Sequence, residues 1–294
     1  MPTLFCFGLG YSARHLAGKL EDDGWHIAGT ARSPDGVEQI RRLGYTGYVF
    51  DGVTPGVGSG PSQGAGPACR RATQVVVSAP PDAQGDPVLR HYADDLAHSG
   101  ADWIGYLSTI GVYGDHGGDW VDETTPATPL SQRSRRRALA EQQWIEFGAA
   151  AGKRVEIFRL AGIYGPGSSA IDGLRNGTTR SIVKPGQVFN RIHVEDIART
   201  LIAAFSGPHR HAIYNVTDDE PAPPQDVNAF AARLLGLPPP MEVAYDDAEL
   251  SEMGRSFYSE NKRVRNDRIK NELGVQLAFP TYREGLAAIA ANSP

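Results

Sequence analysis

Cysteine is almost missing from this chain: Cys6 and Cys69 are the whole complement. Two thiols exclude a disulfide framework, and with them a cysteine metal site; no metal is expected. Cys6 falls inside an apolar run and reads as a small core residue, Cys69 closes a loop and reads as a surface thiol. Long hydrophobic runs are also absent, so no segment is expected to span a bilayer. Met1-Pro2 leads straight into an apolar strand without a signal-peptide pattern, and the expected location is the cytoplasm, with no membrane partner. Positive charge is not in excess. With 29 Lys and Arg against 34 Asp and Glu, the net charge is -5, which gives no footing for a nucleic-acid partner. The apolar content of 40% is enough to bury one large core or two fused ones.

What is present is an alternation of short apolar runs and helical spacing. After the first strand and helix, residues 25–30, 45–50, 74–78, 103–108 and 155–160 read as strands. Between them, residues 34–43, 87–99 and 131–150 read as helices. Near-continuous apolar strands separated by helices indicate a doubly wound parallel α/β sheet covered on both faces. Residues 52–67 are dominated by Gly, Pro and Ser, and are expected to hold neither helix nor strand. Beyond residue 165 the pattern loosens, with helices expected near 195–205, 224–235 and 282–291. The basic stretch 261–274 reads as a solvated helix face. The expected division is a Rossmann domain over 1–165 and a smaller α+β substrate domain over 166–294.

The N-terminus carries the first chemical signal. Thr3-Leu-Phe-Cys-Phe-Gly8-Leu-Gly10-Tyr11-Ser12-Ala13-Arg14 is a strand, a tight turn and a helix start. Gly8 allows the turn, Gly10 lets the backbone approach a pyrophosphate, and Ala13 lets helix and strand pack closely. The first helical turn, from Tyr11, presents N–H groups and a positive dipole to phosphate. Any tight strand-to-helix turn can use two glycines, so further segments must carry the identification.

Those segments are Leu107-Ser-Thr-Ile-Gly-Val-Tyr-Gly114, Val121-Asp-Glu-Thr-Thr-Pro126 and the helix bearing Glu141, followed by Arg159-Leu-Ala-Gly-Ile-Tyr-Gly-Pro-Gly167. Ile192-His-Val-Glu-Asp-Ile197, Leu273-Gly274 and Glu284-Gly-Leu286 complete the set. In this order and spacing the chain resembles the extended short-chain dehydrogenase/reductases, in particular atypical members related to nucleoside-diphosphate-sugar epimerases. The resemblance runs over nearly the whole length. It implies an NAD(P) site at the carboxyl ends of the strands, with Asp51 near the adenine and Ser78-Ala79 beneath the cofactor. NAD-binding members place an acid at the end of strand two; here Ala31 is followed by Arg32. A guanidinium can hold a 2′-phosphate that an acid would repel. NADP(H) is therefore favoured over NAD(H), with Arg14 assisting; the competing reading makes Arg32 a solvated loop residue.

The resemblance also implies a hydroxyl, a proton-transfer tyrosine and a lysine four residues after it. Thr109 matches the hydroxyl, Arg137 the lysine, and Arg133 the tyrosine. Arg137 can retain the lysine's electrostatic and ribose-binding role. Arg133 cannot transfer protons, because guanidinium stays protonated throughout the working range. Tyr113 and Tyr164 follow strands five and six and are candidate substitutes, Tyr113 as proton donor and Tyr164 against substrate; packing is the competing reading for both. Asp115, His116, Glu123 and His193 are candidates whose turn, solvated or structural readings are preferred. Arg133, Arg136 and Arg137 share a helix face at this spacing, while Arg135 turns away. That face is either an anion clamp for a phosphorylated or nucleotide-linked small molecule, with Arg133 binding substrate, or a charged surface. Two functions follow: an NADP(H)-dependent, epimerase-like oxidoreductase, or an NADP(H) sensor without chemistry. A homodimer is the expected assembly, if any.

Overall fold

A computed structural model describes residues 1–55, 64–208 and 212–292. Its centre is a parallel sheet of seven strands: β1 (Thr3–Phe7), β2 (His26–Ala31), β3 (Thr46–Val49), β4 (Gln74–Val77), β5 (Trp103–Thr109), β6 (Arg154–Leu160) and β7 (Ile213–Val216). The spatial order is β7-β6-β5-β4-β1-β2-β3. The order reverses between β1 and β4, which is where such sheets open a crevice for ligands. Phe5 and Phe7 point into the same core as Val75, Val77, Ile104 and Tyr106, all buried. Strands this apolar on both faces need helices on both sides. β7 was not anticipated; its four residues carry too short a pattern to separate from a loop.

Helix starts follow local chemistry. α1 (Tyr11–Asp22) begins after Gly10, with no acidic residue in its first turn. α2 (Pro34–Arg42) is capped by Ser33, whose Oγ accepts from Gly36 N at 3.2 Å, with Pro34 in the first turn. α3 (Ala65–Arg70) lies partly inside the stretch expected to be structureless. Pro67 is tolerated there because it sits in the first turn, where N–H groups have no helical acceptor. Residues 56–63 of that stretch lie outside the described residues. Cys69 is on α3 and is fully buried, so the surface-thiol reading fails. α4 (Pro87–Ala97) is capped by Asp86, which accepts from Val88 N at 2.8 Å. α5 (Gln132–Ala151) is the longest helix described.

The chain forms two compact units that interleave in sequence instead of separating at residue 165. The first comprises 1–109, 135–159 and 198–214; the second, 110–134, 160–197 and 215–294. The reason is topological: strands β6 and β7 come late in the chain, with excursions between them. The second unit holds α6 (Ala170–Arg175), α8 (Pro224–Leu234), α9 (Glu252–Tyr258), α10 (Asp267–Asn271) and α11 (Tyr282–Asn292); α7 (Val194–Ser206) runs from one unit into the other. Its short strands pair in parallel, Gly162–Tyr164 with Arg191–His193 and Trp120–Val121 with Arg263–Val264. A separate core joins Tyr164, Ile171, Val227, Ala231, Tyr282 and Leu286. The basic stretch is not one solvated helix face. Lys262 is buried, its Nζ donating to Gly114 O at 2.6 Å and pairing with Glu260 at 2.7 Å.

Candidate functional site

The glycine turn is built as a closed device. Gly8 has φ +90°, a left-handed conformation that favours glycine. Its N–H donates to Thr30 Oγ1 at 2.9 Å, and Leu9 N donates to Thr30 O at 2.8 Å. From the other side, Ser78 Oγ donates to Gly8 O at 2.6 Å, while Ser78 N and Ala79 N both donate to Phe7 O. A Cβ on Gly8 would come within 2.7 Å of Ser78 Oγ and 3.2 Å of Ala79 N. Gly10 differs: among the described residues a Cβ there would meet nothing within 4 Å. The glycine is thus not required by protein packing, and the space over it is open where a pyrophosphate would lie against the N-terminus of α1. This open cradle fits a dinucleotide.

The remaining cofactor candidates surround the turn within the first unit. Ser12 and Ala13 lie on the buried face of the first turn of α1, and Tyr11 is exposed. Arg14 Nε donates to Leu9 O at 3.1 Å and its Nη2 reaches Gln39 at 3.3 Å, so Arg14 braces the turn. Arg32 is exposed just after β2, with no partner among the described residues. Asp51 caps its own loop: Oδ1 accepts from Val53 N and Thr54 N, bonds that hold its carboxyl below the usual range. Thr30 was missed as part of this constellation, although a lone hydroxyl near the end of an apolar strand is a legible signal.

At the end of β5, Thr109 is half-buried. Arg137, at the lysine position, is also half-buried. Its Nη1 donates to Leu107 O at 2.7 Å and contacts Tyr106 Oη at 3.3 Å, with the guanidinium 5.5 Å from that ring's centroid. Beneath lies a polar network whose role was not anticipated. Ser108 donates to Glu141, and Glu141 pairs with Arg159 at 2.7 Å, all three buried. The network clamps α5 against β5 and β6, and so fixes the backbone that carries Thr109 and Arg137.

In the second unit, Tyr113 is fully buried, and its hydroxyl donates to Asn215 Oδ1 at 2.8 Å. This hydrogen bond favours the packing reading of Tyr113 over proton transfer. Glu123 is not solvated; its carboxylate accepts from Asn215 N at 2.8 Å, and burial raises its pKa. Tyr164 is buried, with its pKa pushed up by burial. His193 packs edge-on against Tyr164 and tilted against Phe279, its Nδ1 accepting from Glu195 N at 3.2 Å, a structural arrangement. His116 and Asp115 are tied into turns by Tyr113 O and the Gly117 and Asn261 amides. Arg133 is exposed, its guanidinium 5.0 Å from the centroid of Phe257, itself an exposed ring. Among the described residues no group of His, Cys, Asp and Glu has metal-ligand geometry, and no described helix is long and apolar enough to cross a membrane.

No protein-family model matches the chain. Protein YeeZ of Escherichia coli K12 is 30% identical over 290 residues, spanning 95% of this chain and 97% of its own. A solved structure of a functionally unknown conserved protein from Silicibacter pomeroyi is 50% identical, with a TM-score of 0.86 and 99% of each chain covered. The UDP-glucuronic acid 4-epimerase of Bacillus cereus, solved in complex with NAD, has a TM-score of 0.75 at 16% identity, covering 99% of this chain and 96% of its own. The last likeness is one of fold.

Proposed function

This chain belongs to the extended short-chain dehydrogenase/reductase family, and from that premise we propose that it is an NADP(H)-dependent, epimerase-like oxidoreductase acting on a phosphorylated or nucleotide-linked small molecule. The observation that carries the reading is the pairing of a locked turn at Gly8 with open space over Gly10. Gly8, Gly10, Tyr11, Ser12, Ala13, Ser78 and Ala79 would hold the cofactor's phosphates and Asp51 its adenosine side. When bound, the nicotinamide supplies a hydride acceptor or donor. Arg32 supports the 2′-phosphate form: it is a cation at the right strand end with no partner among the described residues.

This chain's own residues then bind and orient. Thr109 positions a substrate oxygen by hydrogen bonding. Arg137, tethered through one nitrogen, keeps further N–H donors for the nicotinamide ribose. Arg133 holds an anionic group on the substrate, with Phe257 as its platform, and transfers no proton. Tyr164 stays with the substrate region as a buried lining residue.

A second reading, an NADP(H) sensor without turnover, is supported by the family resemblance, which aligns Arg133 with the position of the titrating phenol. Calorimetric titration with NADPH and, separately, NADH tests the common part. Tight NADPH and much weaker NADH is the expected result, and binding of neither removes both readings. Turnover of NADPH across sugar nucleotides and sugar phosphates then separates enzyme from sensor.

A further inference from the structure

The second unit contains a cavity of about 150 Å³, between the strands Gly162–Tyr164 and Arg191–His193 and helices α6, α8 and α11. Tyr164, Arg191, Val227, Tyr282 and Leu286 are among its walls. Most of that wall is ring or aliphatic, with one full positive charge. An apolar cavity of this size is large enough for a single six-membered ring.

Among the described residues no carboxylate forms an ion pair with that charge. Arg191 Nη1 donates to Phe189 O at 2.9 Å and Ala222 O at 3.0 Å, clipping a bridge between those two segments. Among the described residues no carboxylate lies within ion-pair distance of the guanidinium, and Nε and Nη2 have no acceptor. Asp218 is near enough to interact electrostatically, but it is buried and its Oδ2 has no hydrogen-bond partner. Burial pushes its carboxyl up to about 8, against the pull of Arg191, which weakens it as a counter-charge. The other acids nearby are engaged. Glu220 pairs with Arg283 at 2.7 Å, Glu284 caps Thr281, and Asp196 accepts from Ala278 N and Phe279 N. A half-buried cation with free donors, facing a mostly apolar cavity, is costly unless an anion joins it.

We propose that this cavity is a binding site for a small carboxylate with an apolar body, no larger than benzoate, whose carboxylate pairs with Arg191 and whose body lies among Tyr164, Val227, Tyr282 and Leu286. The site lies wholly in the second unit and uses no residue assigned to the cofactor. Its ligand class differs from the nucleotide-linked substrate proposed above, with Tyr164 as the one residue in common. Occupancy would fill the cavity and supply the missing counter-charge together, so the ligand stabilises the second unit in proportion to its concentration over its Kd.

Calorimetry and thermal unfolding of the full-length protein with sodium benzoate, benzamide and inorganic phosphate test the proposal. Benzamide keeps the ring and removes the charge; phosphate keeps the charge and removes the ring. Benzoate should bind with one site per chain and raise Tm, with benzamide weaker by at least about tenfold and phosphate weaker still. Arg191→Met should abolish the preference for benzoate over benzamide. Should that variant not fold, Val227→Phe, which fills the cavity and leaves the charge, should abolish benzoate binding. Equal binding of benzoate and benzamide, stronger binding of phosphate, benzoate binding that survives Val227→Phe, or no binding of any of the three overturns the proposal. An NADPH titration of the same preparation reports separately on the cofactor cradle.

Discussion

Ser78 and Gly8 are locked together: the Ser78 hydroxyl donates to Gly8 O at 2.6 Å, and a Cβ on Gly8 would stand 2.7 Å from that same oxygen. Gly10, two residues on, has no neighbour among the described residues to exclude a side chain. One glycine serves the turn and the other serves whatever occupies the space beyond it.

Gly8→Ala and Gly10→Val should therefore separate. The first strains a φ of +90° and crowds Ser78, costing about 1–3 kcal/mol of stability. Gly10→Val should cost no more than about 1 kcal/mol, since it replaces a helix N-cap without a clash. Yet it should weaken NADPH by more than about tenfold, because its side chain fills the phosphate approach. Chemical denaturation alongside calorimetry reads both; unimpaired NADPH affinity in Gly10→Val would contradict the cradle.

Charge reversal at Arg32 should weaken NADPH by about ten- to a hundredfold and leave NADH within a fewfold. The side chain is exposed and supports no neighbour, so unfolding should be unaffected. Equal losses for both cofactors would return Arg32 to a solvated loop.

Glu141 and Arg159 form a buried pair at 2.7 Å, with Ser108 as a third member. Removing one partner leaves an uncompensated buried charge, so Glu141→Ala should lose about 3–5 kcal/mol in urea unfolding. The double variant Glu141→Leu/Arg159→Met should recover most of that loss. Recovery would show that the pair organises α5 against β5 and β6 without itself being indispensable to stability.

Tyr113→Phe strands the Asn215 carbonyl, which receives the phenol's proton at 2.8 Å. We expect a loss of about 1–2 kcal/mol in stability and unchanged turnover on any substrate found. A loss of turnover with unaltered stability would restore Tyr113 as a proton donor.

Asp218 should impose a pH dependence on stability. Its carboxyl titrates near 3.8 in the unfolded chain and is raised to about 8 in the fold. Between those values the folded protein retains a proton that the unfolded chain has released, so stability falls as pH rises from about 4 to about 8 and then levels. Asp218→Asn removes the effect. The variant should match the parent near pH 4 and exceed it by several kcal/mol near pH 8, with pH-resolved denaturation as the measurement.

Much of this was readable in order along the chain. The apolar runs of β1, β4, β5 and β6 and the Gly8–Gly10 turn determined a parallel Rossmann sheet, because buried strands must be apolar throughout and a sharp strand-to-helix turn needs glycine. That Arg133 transfers no proton was equally plain, since a guanidinium cannot titrate wherever it is placed. Tertiary structure decided what distance along the chain conceals. Tyr113 lies 102 residues from the Asn215 that holds it, and Ser78 is 70 residues from the turn it closes. Cys69, Glu123 and Lys262 looked exposed by residue type and position, yet their environments are buried. The placing of Arg191 in the wall of a mostly apolar cavity emerges from strands and helices distant in sequence. Burial and pairing depend on which elements meet, and local pattern specifies the elements but not the full set of their partners.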